Sequence, residues 1–293
     1  MKNYWIIGDI HGEVGLLDRL LEHILPRDPE ALIFVGDYID RGPASREVVD
    51  RILELEQPVH CLMGNHEMML LNALEDMGYG QSPVELWYYN GGEATLRSFG
   101  ATSFFTLQSD LDPAYLEFFR NLQMNQVIPL NNRSAVLATH AGISPAIPIA
   151  DQFSIRNYHD LSRYMLEKHI DPGDSFIWVR EGFFRSDPAG WPGYLVVHGH
   201  TPVMKLRRML WGRRKQQFLF VDNDVCIRKD PATGRIVSID IDSGSAVSGR
   251  LTGLGFYLDE SAETGETGNG ATIRSLTVSK EEIFPRDLGN TGE

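Results

Sequence analysis

The segment that most constrains the fold is residues 36–42, Gly-Asp-Tyr-Ile-Asp-Arg-Gly, which places two carboxylates and a guanidinium between two glycines. It follows an apolar run at 31–35 that predicts a buried strand. Residues 8–12 (Gly-Asp-Ile-His-Gly) and 64–67 (Gly-Asn-His-Glu) follow similar apolar runs. Because parallel strands end at a shared edge of a sheet, we expect these loops to meet there. The side chains brought together would be Asp9, His11, Asp37, Asn65 and His66.

The segments between these strands have helical periodicity. Leucines and isoleucines recur at helical spacing over 14–25, where Pro26 ends the helix, and a second such helix covers 45–56. This β-α-β-α-β order predicts an α/β layered fold with functional loops at the C-terminal ends of the strands.

The chain divides into one large domain over 1–258 and a tail over 259–293. Alternating patterns at 203–258 predict β-hairpins that complete the sheet. The tail is rich in Gly, Ser, Thr and Glu, which predicts a poorly ordered segment, with an edge strand at 272–278 as the alternative.

Composition excludes several classes of protein. The formal net charge of −13 disfavours binding to nucleic acid or an anionic membrane. No apolar run approaches the ~20 residues of a membrane span, and Met1 leads directly into the first strand with no signal peptide. With only two cysteines, the chain fits a reducing, cytoplasmic location. Nothing in the sequence indicates an oligomeric state.

Polar residues recur immediately after apolar strands, which predicts a metal site. Any one of them has an ordinary explanation as a loop residue, but the shared context of the whole set is typical of metal ligation. Carboxylate, amide and imidazole ligands suit Mn²⁺, Fe or Zn²⁺ better than Ca²⁺, and the lack of thiolates disfavours structural zinc. The set is Asp9, His11, Asp37, Asp40, Asn65, His66, His140 and His200.

These motifs resemble those of the calcineurin-like metallophosphoesterases. Residues 8–12, 36–42 and 64–67 are similar to the GDxHG, GDxxDRG and GNHE motifs, and later motifs lie at 140–142, 199–201, 241–244 and 249–252. The similarity is greatest to the branch containing the serine/threonine protein phosphatases, bacterial type, and the symmetrical diadenosine tetraphosphatases. The resemblance implies a central β-sandwich flanked by helices, with a dinuclear metal site at the strand C-terminal ends.

The resemblance also implies roles for the ligands. Two divalent ions, Mn²⁺ above all, with Fe or Zn²⁺ as alternatives, would hold a bridging hydroxide that attacks phosphorus in line. Of the two histidines at 198 and 200, the pattern assigns the ligand to the one after Gly199. The first ion would be held by Asp9, His11 and Asp37, and the second by Asp37, Asn65, His140 and His200.

Other residues receive roles in binding and proton transfer by the same resemblance. His66 would be the general acid that protonates the leaving alkoxide, and Asp40 would orient it and keep it cationic. The phosphoryl oxygens would be bound by Asn65, Arg41 and Arg180. For Arg180 the alternative is a surface salt bridge with Glu181 or another acid.

The function implied is hydrolysis of phosphomonoesters, with protein phosphoserine and phosphothreonine favoured over small phosphate substrates. The alternative is a nucleotide anhydride hydrolase such as a diadenosine tetraphosphatase. A non-catalytic binding module is disfavoured because every ligand is present. One departure leaves room for other substrates: Met63 stands where many protein phosphatases of this branch have arginine. If strand alternation continues, Met63 borders the metal site.

Two further features have open interpretations. The aromatic residues at 87–89, before Gly91 and Gly92, either shape a cleft wall or pack in the core. A basic run is either a dock for an acidic partner or polyphosphate, or a solvated hairpin around Trp211 and Gly212, and we favour the hairpin. The run comprises Lys205, Arg207, Arg208, Arg213, Arg214 and Lys215.

Overall fold

Two six-stranded mixed sheets form the centre of the computed structural model, which describes residues 2–75, 82–130, 134–187, 191, 193–210, 217–258 and 271–290. The first sheet has the order β12-β11-β10-β1-β2-β3 and the second β4-β5-β6-β9-β8-β7. The strands of the first sheet are β1 Lys2–Ile7, β2 Ala31–Phe34, β3 Val59–Cys61, β10 Arg250–Leu258, β11 Thr272–Ser279 and β12 Ile283–Asn290. Those of the second are β4 Asn125–Pro129, β5 Ala135–Thr139, β6 Tyr194–His198, β7 Phe218–Val221, β8 Val225–Lys229 and β9 Ile236–Asp240.

Each sheet contains three neighbouring parallel strands. In the first sheet β1, β2 and β3 run parallel, and in the second β5, β6 and β9 do. Parallel neighbours require long crossovers, and the helices α1 and α2 supply the first two. The helices are α1 Val14–Ile24, α2 Ser45–Leu53, α3 Asn65–Leu74, α4 Pro83–Tyr89, α5 Gly92–Ser98, α6 Phe104–Asp110, α7 Pro113–Arg120, α8 Ile149–Ser154, α9 Tyr158–Lys168, α10 Glu181–Arg185, α11 Val203–Met209 and α12 Ser245–Ser248.

The strands separate the core into layers, because their side chains alternate between the two faces of a sheet. On β1, Trp5 and Ile7 pack into a helix-side core, whereas Ile6 packs into a core between the sheets. Val136 from β5 enters the same inter-sheet core. The two sheets therefore pack face to face with helices outside them, and the predicted layered α/β fold is confirmed.

The amphipathic helix predicted from 14 onward forms as expected. Leu16, Leu20 and Ile24 are among the buried residues of α1. Pro26 lies in a short 3₁₀ turn, Leu25–Arg27, because a proline ring cannot continue the α-helix.

Two regional expectations need correction. Residues 271–290 of the expected tail contain β11 and β12, both paired in the first sheet, so this part of 259–293 is not a poorly ordered tail. The alternative of a strand at 272–278 is right, although β12 and not β11 is the edge. The expected hairpins from 203 begin instead with the helix α11, which carries Lys205, Arg207 and Arg208. Arg213, Arg214 and Lys215, with the proposed turn at Trp211 and Gly212, lie outside the described residues.

In the described residues no helix combines the length and apolarity needed to span a membrane.

Candidate metal and phosphoester site

The carboxyl ends of the parallel strands of both sheets converge on one cluster of buried polar side chains. After β1 come Asp9 and His11, after β2 come Asp37, Asp40 and Arg41, and α3 begins with Asn65 and His66. The second sheet adds His140 after β5 and His200 after β6. Apart from Arg41, which is partly exposed, all of these side chains are buried.

Asp37 is central to the cluster, because its two oxygens face different imidazole rings. Its Oδ2 lies 3.4 Å from His11 Nε2 and 3.9 Å from His66 Nε2. Its Oδ1 lies 3.4 Å from His140 Nε2. Burial alone would raise the pKa of Asp37, but the neighbouring histidines and Arg41 hold it well below its usual range. One carboxylate is thus placed to serve two cation positions.

The histidine rings are fixed by backbone carbonyls. His11 Nδ1 donates to Ile39 O at 2.9 Å, and His140 Nδ1 donates to Val35 O at 2.8 Å. His200 donates from its other ring nitrogen, Nε2, to Trp178 O at 3.0 Å. Desolvation lowers the pKa of all three histidines below the ordinary value. Each is therefore a neutral ring with one unprotonated nitrogen directed into the cluster, which is the arrangement of a metal ligand.

Three acceptors converge at Asn65. Its Oδ1 lies 2.8 Å from His200 Nδ1 and 3.0 Å from His140 Nε2. Because the other nitrogen of each ring carries the proton, both of these ring nitrogens present a lone pair to the amide oxygen. Facing lone pairs repel unless a cation lies between them or the amide turns its nitrogen inward. The donor set, all nitrogen and oxygen with no thiolate, fits a divalent ion of the Mn²⁺, Fe or Zn²⁺ type.

Arg41 places a positive charge beside the other half of the cluster. Its Nη1 donates to His11 Nε2 at 2.6 Å and its Nη2 to His66 Nε2 at 2.8 Å. The guanidinium therefore occupies the lone pair that a metal ion would use on His11. The cluster accepts a cation at this position.

Asp9 lies in the cluster but is turned away from the positions that the other ligands share. Its Oδ2 accepts from the His200 backbone N–H at 2.9 Å, and its buried Oδ1 has no hydrogen-bond partner among the described residues. Among those residues, ligand atoms lie within 4.8 Å of one another in two groups. One group is Asp37, His140 and His200, and the other is His11, Asp37 and His66, with His66 in the place expected for Asp9.

His66 and Asp40 form a buried pair. His66 Nδ1 lies 2.7 Å from Asp40 Oδ2. The other oxygen of Asp40 accepts from Trp87 Nε1 at 3.0 Å and from Thr95 Oγ1 at 2.6 Å. Since both of its oxygens form hydrogen bonds with buried groups, the Asp40 carboxyl group is held in a fixed orientation beside the imidazole.

Arg180 lies at the rim of the cluster and not in a surface salt bridge with Glu181. Its Nη1 donates to His200 O at 2.8 Å and to Thr201 Oγ1 at 3.0 Å. Glu181 instead pairs with Arg185 at 3.0 Å. The guanidinium is therefore available at the site that the sequence predicted for it.

Comparison with known proteins places this geometry in a family. Residues 2–228 match the model of the calcineurin-like phosphoesterase family. This chain belongs to that family. The predicted family membership is thereby confirmed, and the members of this phosphoesterase family use divalent metal ions.

Similar curated proteins carry two different names. A symmetrical bis(5'-nucleosyl)-tetraphosphatase of Coxiella burnetii is 29% identical over 65% of this chain and 56% of its own length. Serine/threonine-protein phosphatase 2 of Escherichia coli is 44% identical over 31% of this chain and 39% of its own length. The matches thus span about half, or less, of these relatives.

Two solved structures align with most of this chain at low similarity. A cold-active protein-tyrosine phosphatase of a psychrophilic Shewanella species aligns over 98% of this chain and 80% of its own with a TM-score of 0.48 and 18% identity. A metallophosphoesterase of Sphaerobacter thermophilus aligns over 99% and 89% with a TM-score of 0.42 and 13% identity.

Sequence reasoning gave no role to Glu67, which organises the loops of the phosphoesterase site. Its carboxylate accepts from the backbone N–H groups of Asp37 at 2.9 Å, Tyr38 at 2.8 Å, Ile39 at 3.3 Å and Gly64 at 3.1 Å. The spacing from residue 64 to residue 67 is that of a capping box, which is the signal that could have identified it.

The site loops store backbone strain. Positive φ values, which are costly for residues with a side chain, occur at His11 (47°), Asp37 (54°), Asp40 (70°), Arg41 (68°) and His200 (68°). Such conformations persist only where the surroundings fix them, and the contacts described above supply that restraint.

Two further carboxylates were not assigned from the sequence. Asp240 ends β9, and Asp242 follows it within the C-terminal motif, so β9 is the last parallel strand to deliver acids to this edge. Burial raises the pKa of Asp242 to about 6. The carboxylates of Asp240 and Asp242 add to the attraction of the site for cations.

Met63 does not occupy the position expected from strand alternation. β3 ends at Cys61, and the Met63 side chain is fully buried in the helix-side core with Phe34, Tyr38 and Met68. The expectation that it borders the metal site is wrong, because the strand ends two residues earlier than predicted.

Proposed function

We propose that this phosphoesterase hydrolyses phosphomonoesters with the help of two divalent ions, Mn²⁺ above all, and acts on phosphoserine and phosphothreonine in proteins. Asp9, His11 and Asp37 would hold one ion, and Asp37, Asn65, His140 and His200 the other. When bound, such ions polarise the phosphoryl group and lower the pKa of water. The predicted location is the cytoplasm, on the basis of cysteine usage.

The buried pair of His66 and Asp40 is the observation that carries this proposal. A serine or threonine alkoxide is a poor leaving group and needs a proton as its bond to phosphorus breaks. His66 Nδ1 is committed to Asp40 at 2.7 Å. Nε2, which accepts from Arg41 Nη2 in this structure, is therefore the nitrogen that would carry and deliver the proton once Arg41 binds the substrate instead. The carboxylate stabilises the protonated ring, which makes His66 the general acid.

Arg41, Arg180 and Asn65 bind the phosphoryl oxygens in this proposal. A metal ion on His11 competes with Arg41 for the same ring lone pair. With that lone pair given over to an ion, Arg41 would be available to bind the substrate anion. Bidentate contacts of this kind are the usual way in which arginine binds phosphate.

A second candidate is hydrolysis of a phosphoanhydride in a nucleotide. It is favoured by the tetraphosphatase relatives, whose similarity extends over twice as much of this chain as that of the phosphatases, 65% against 31%.

Turnover by the manganese-loaded protein should be measured on phosphopeptides, by phosphate release, and side by side on dinucleoside polyphosphates, by separating the nucleotide products. We expect chelation to abolish turnover and Mn²⁺ to restore it. Full turnover by protein shown by elemental analysis to be metal-free would refute the proposal.

The leaving group supplies a sharper test. His66→Asn should keep the metal content and lower kcat on a phosphoserine peptide by roughly 10²–10⁴. The loss should be smaller on p-nitrophenyl phosphate, whose phenolate leaves without a proton. His169→Asn, an exposed histidine in a left-handed conformation that asparagine also adopts, is the matched control. Equal losses on both substrates would contradict the general-acid role.

A further inference from the structure

A cavity of about 740 Å³ opens beside the phosphoester site, and we name it the side pocket. It is formed by the start of α11, the turn between β7 and β8, the loop after Asp242, and β12. Its cationic residues are Lys205, Arg208 and Arg250. The apolar part of its lining includes Met204, Val247 and Phe284.

The side pocket begins where the phosphoester site ends. Pro202 lines it two residues after His200, and Ser243 lines it directly after Asp242. The backbone N–H of Val203 donates to Asp242 O at 2.8 Å, which ties the pocket helix to the site loop. The charges of Arg180 and Arg41 are close enough to help lower the pKa of Lys205. The side pocket therefore adjoins the loops that carry the site residues His200 and Asp242.

A buried ionic network fixes the outer wall of the pocket. Asp224, fully buried, accepts from Arg250 Nε at 2.7 Å and Nη2 at 2.6 Å, and from Arg286 Nη1 at 3.2 Å. The Arg250 guanidinium lies 4.1 Å from the centre of the Phe284 ring. These contacts join β10 and β12 to the β7–β8 turn. Both strands lie beyond residues 2–228, the part of the chain that matches the family model.

Two exposed cations are left for a ligand. Lys205 and Arg208 are three residues apart on α11, so they share one face of the helix. Neither forms an ion pair with any residue in the described part of the chain. In a protein of net charge −13, an unpaired basic pair at the mouth of a phosphate site is complementary to a further anionic group.

The apolar side of the pocket fits a flat ring. Val247 is 79% exposed and Met204 39% exposed, and both line the cavity with the half-buried Phe284. Cavities of roughly 300–1,000 Å³ with apolar walls and a few polar groups are typical of small-molecule sites. Asn223 and Glu282 lie at the same cavity and can accept or exchange hydrogen bonds with a base or a sugar.

We propose that the side pocket binds the non-reacting part of a nucleotide substrate. The planar base packs against Met204, Val247 and Phe284, and Lys205 and Arg208 bind a second phosphate. This inference deepens the second candidate function and rests on it.

The test compares kcat/KM for diadenosine tetraphosphate with that for a phosphoserine peptide, in the manganese-loaded protein. Lys205→Ala and Arg208→Ala should each lower the ratio of the two values by about tenfold, the effect of one charge-assisted hydrogen bond. Val247→Asp should lower it in the same direction, because it adds a negative charge to the ring wall. Lys168→Ala, an exposed cation on α9, and Leu219→Asp, an exposed apolar residue on β7, are the matched controls and should leave the ratio unchanged.

Three outcomes would overturn the inference. They are a ratio unchanged in all pocket variants, an equal fall in the pocket variants and the controls, and a selective loss on the phosphopeptide. Failure of the nucleotide function on which the inference rests is distinguishable, because wild-type protein would then leave diadenosine tetraphosphate uncleaved, whatever its rate on the phosphopeptide. In that case calorimetry of adenosine diphosphate with the manganese-loaded protein tests the pocket. Binding weakened about tenfold by Lys205→Ala supports the inference, whereas absent binding or equal binding by the variant overturns it.

Discussion

Thr95→Val removes one hydroxyl from the support of the general acid while keeping the shape of the side chain. Thr95 is fully buried on α5 and does not face the substrate. Its Oγ1 donates to Asp40 Oδ1 at 2.6 Å and accepts from the Asp40 N–H at 2.8 Å. It is therefore a positioning residue that acts on His66 through Asp40.

The size of the effect follows from what remains after the substitution. Asp40 Oδ1 keeps the Trp87 N–H at 3.0 Å, and the Asp40 N–H keeps Ser45 Oγ at 3.1 Å. One hydrogen bond to the Asp40 carboxylate, worth roughly 1.5–3 kcal/mol, and two neutral bonds, each worth roughly 0.5–1.5 kcal/mol, are lost; the second neutral bond joins Thr95 Oγ1 to Ser45 Oγ at 3.0 Å. The free energy of unfolding should fall by roughly 2.5–6 kcal/mol. If the same substitution reduces the stabilisation of the catalytic transition state by about 1.4 kcal/mol, kcat falls about tenfold.

Urea unfolding and steady-state kinetics on two substrates measure both quantities. We expect the fall in kcat to be larger on a phosphoserine peptide than on p-nitrophenyl phosphate, since only the alkoxide needs the proton from His66. Thr95→Ser restores the hydroxyl and should recover both stability and the substrate dependence. A purely structural role would lower the activity on both substrates equally.

The reasoning would be refuted by a Thr95→Val protein whose stability and kcat match those of Thr95→Ser. Such a result would mean that Asp40 is held by Trp87 and Ser45 alone. A loss of stability with no difference between the two substrates would place Thr95 in the core but remove it from the support of the acid.

Three other perturbations test separate parts of the structure. Asp37→Asn should reduce metal occupancy at both positions and Asp9→Asn mainly at one, by elemental analysis after dialysis; two ions bound by Asp37→Asn with wild-type affinity would contradict the bridging role. Met63→Arg should destabilise the fold by roughly 3–5 kcal/mol, the cost of an unpaired buried charge, against less than about 1.5 kcal/mol for Met63→Leu; equal thermal melts would show that residue 63 reaches solvent. Burial lowers the pKa of His198 to about 4, so the unfolded chain binds more protons than the native chain below pH 6.5. Stability should therefore fall by roughly 2 kcal/mol from pH 6.5 to 5, and His198→Leu should reduce that fall in urea titrations.

Local patterns in the sequence were enough to locate most of the site. The first three strands, the first two helices and the ligand loops follow from apolar periodicity and from glycine-bounded polar segments, because each of these signals lies within a few consecutive residues. The parallel order of the strands then brings Asp37, Asn65, His140 and His200 together, as predicted. These are consequences of strand direction, which the alternation of strands and helices specifies.

Residues that position the general acid could not be found in this way. The donors to Asp40 come from Trp87 and Thr95, 47 and 55 residues later in the chain. Neither lies in a motif, and each reads in sequence as an ordinary helical residue. Only packing of α4 and α5 against the site decides that an indole N–H and a hydroxyl meet the same carboxylate oxygen.

The C-terminal region was decided by long-range pairing. Residues 272–279 alternate weakly and follow a polar, glycine-rich segment, so local composition favours disorder. In the fold, β10 offers an open edge, and β11 pairs with it along its length, from Arg250 with Ser279 to Tyr257 with Thr272. The hydrogen bonds and the buried faces of Ile273 and Val278 exist only once that edge is formed. The stability of such a strand comes from a partner that is already in place, so its own residues carry little signal. The loops at the site differ, because their side chains would themselves bind the ion and must therefore be visible in the sequence.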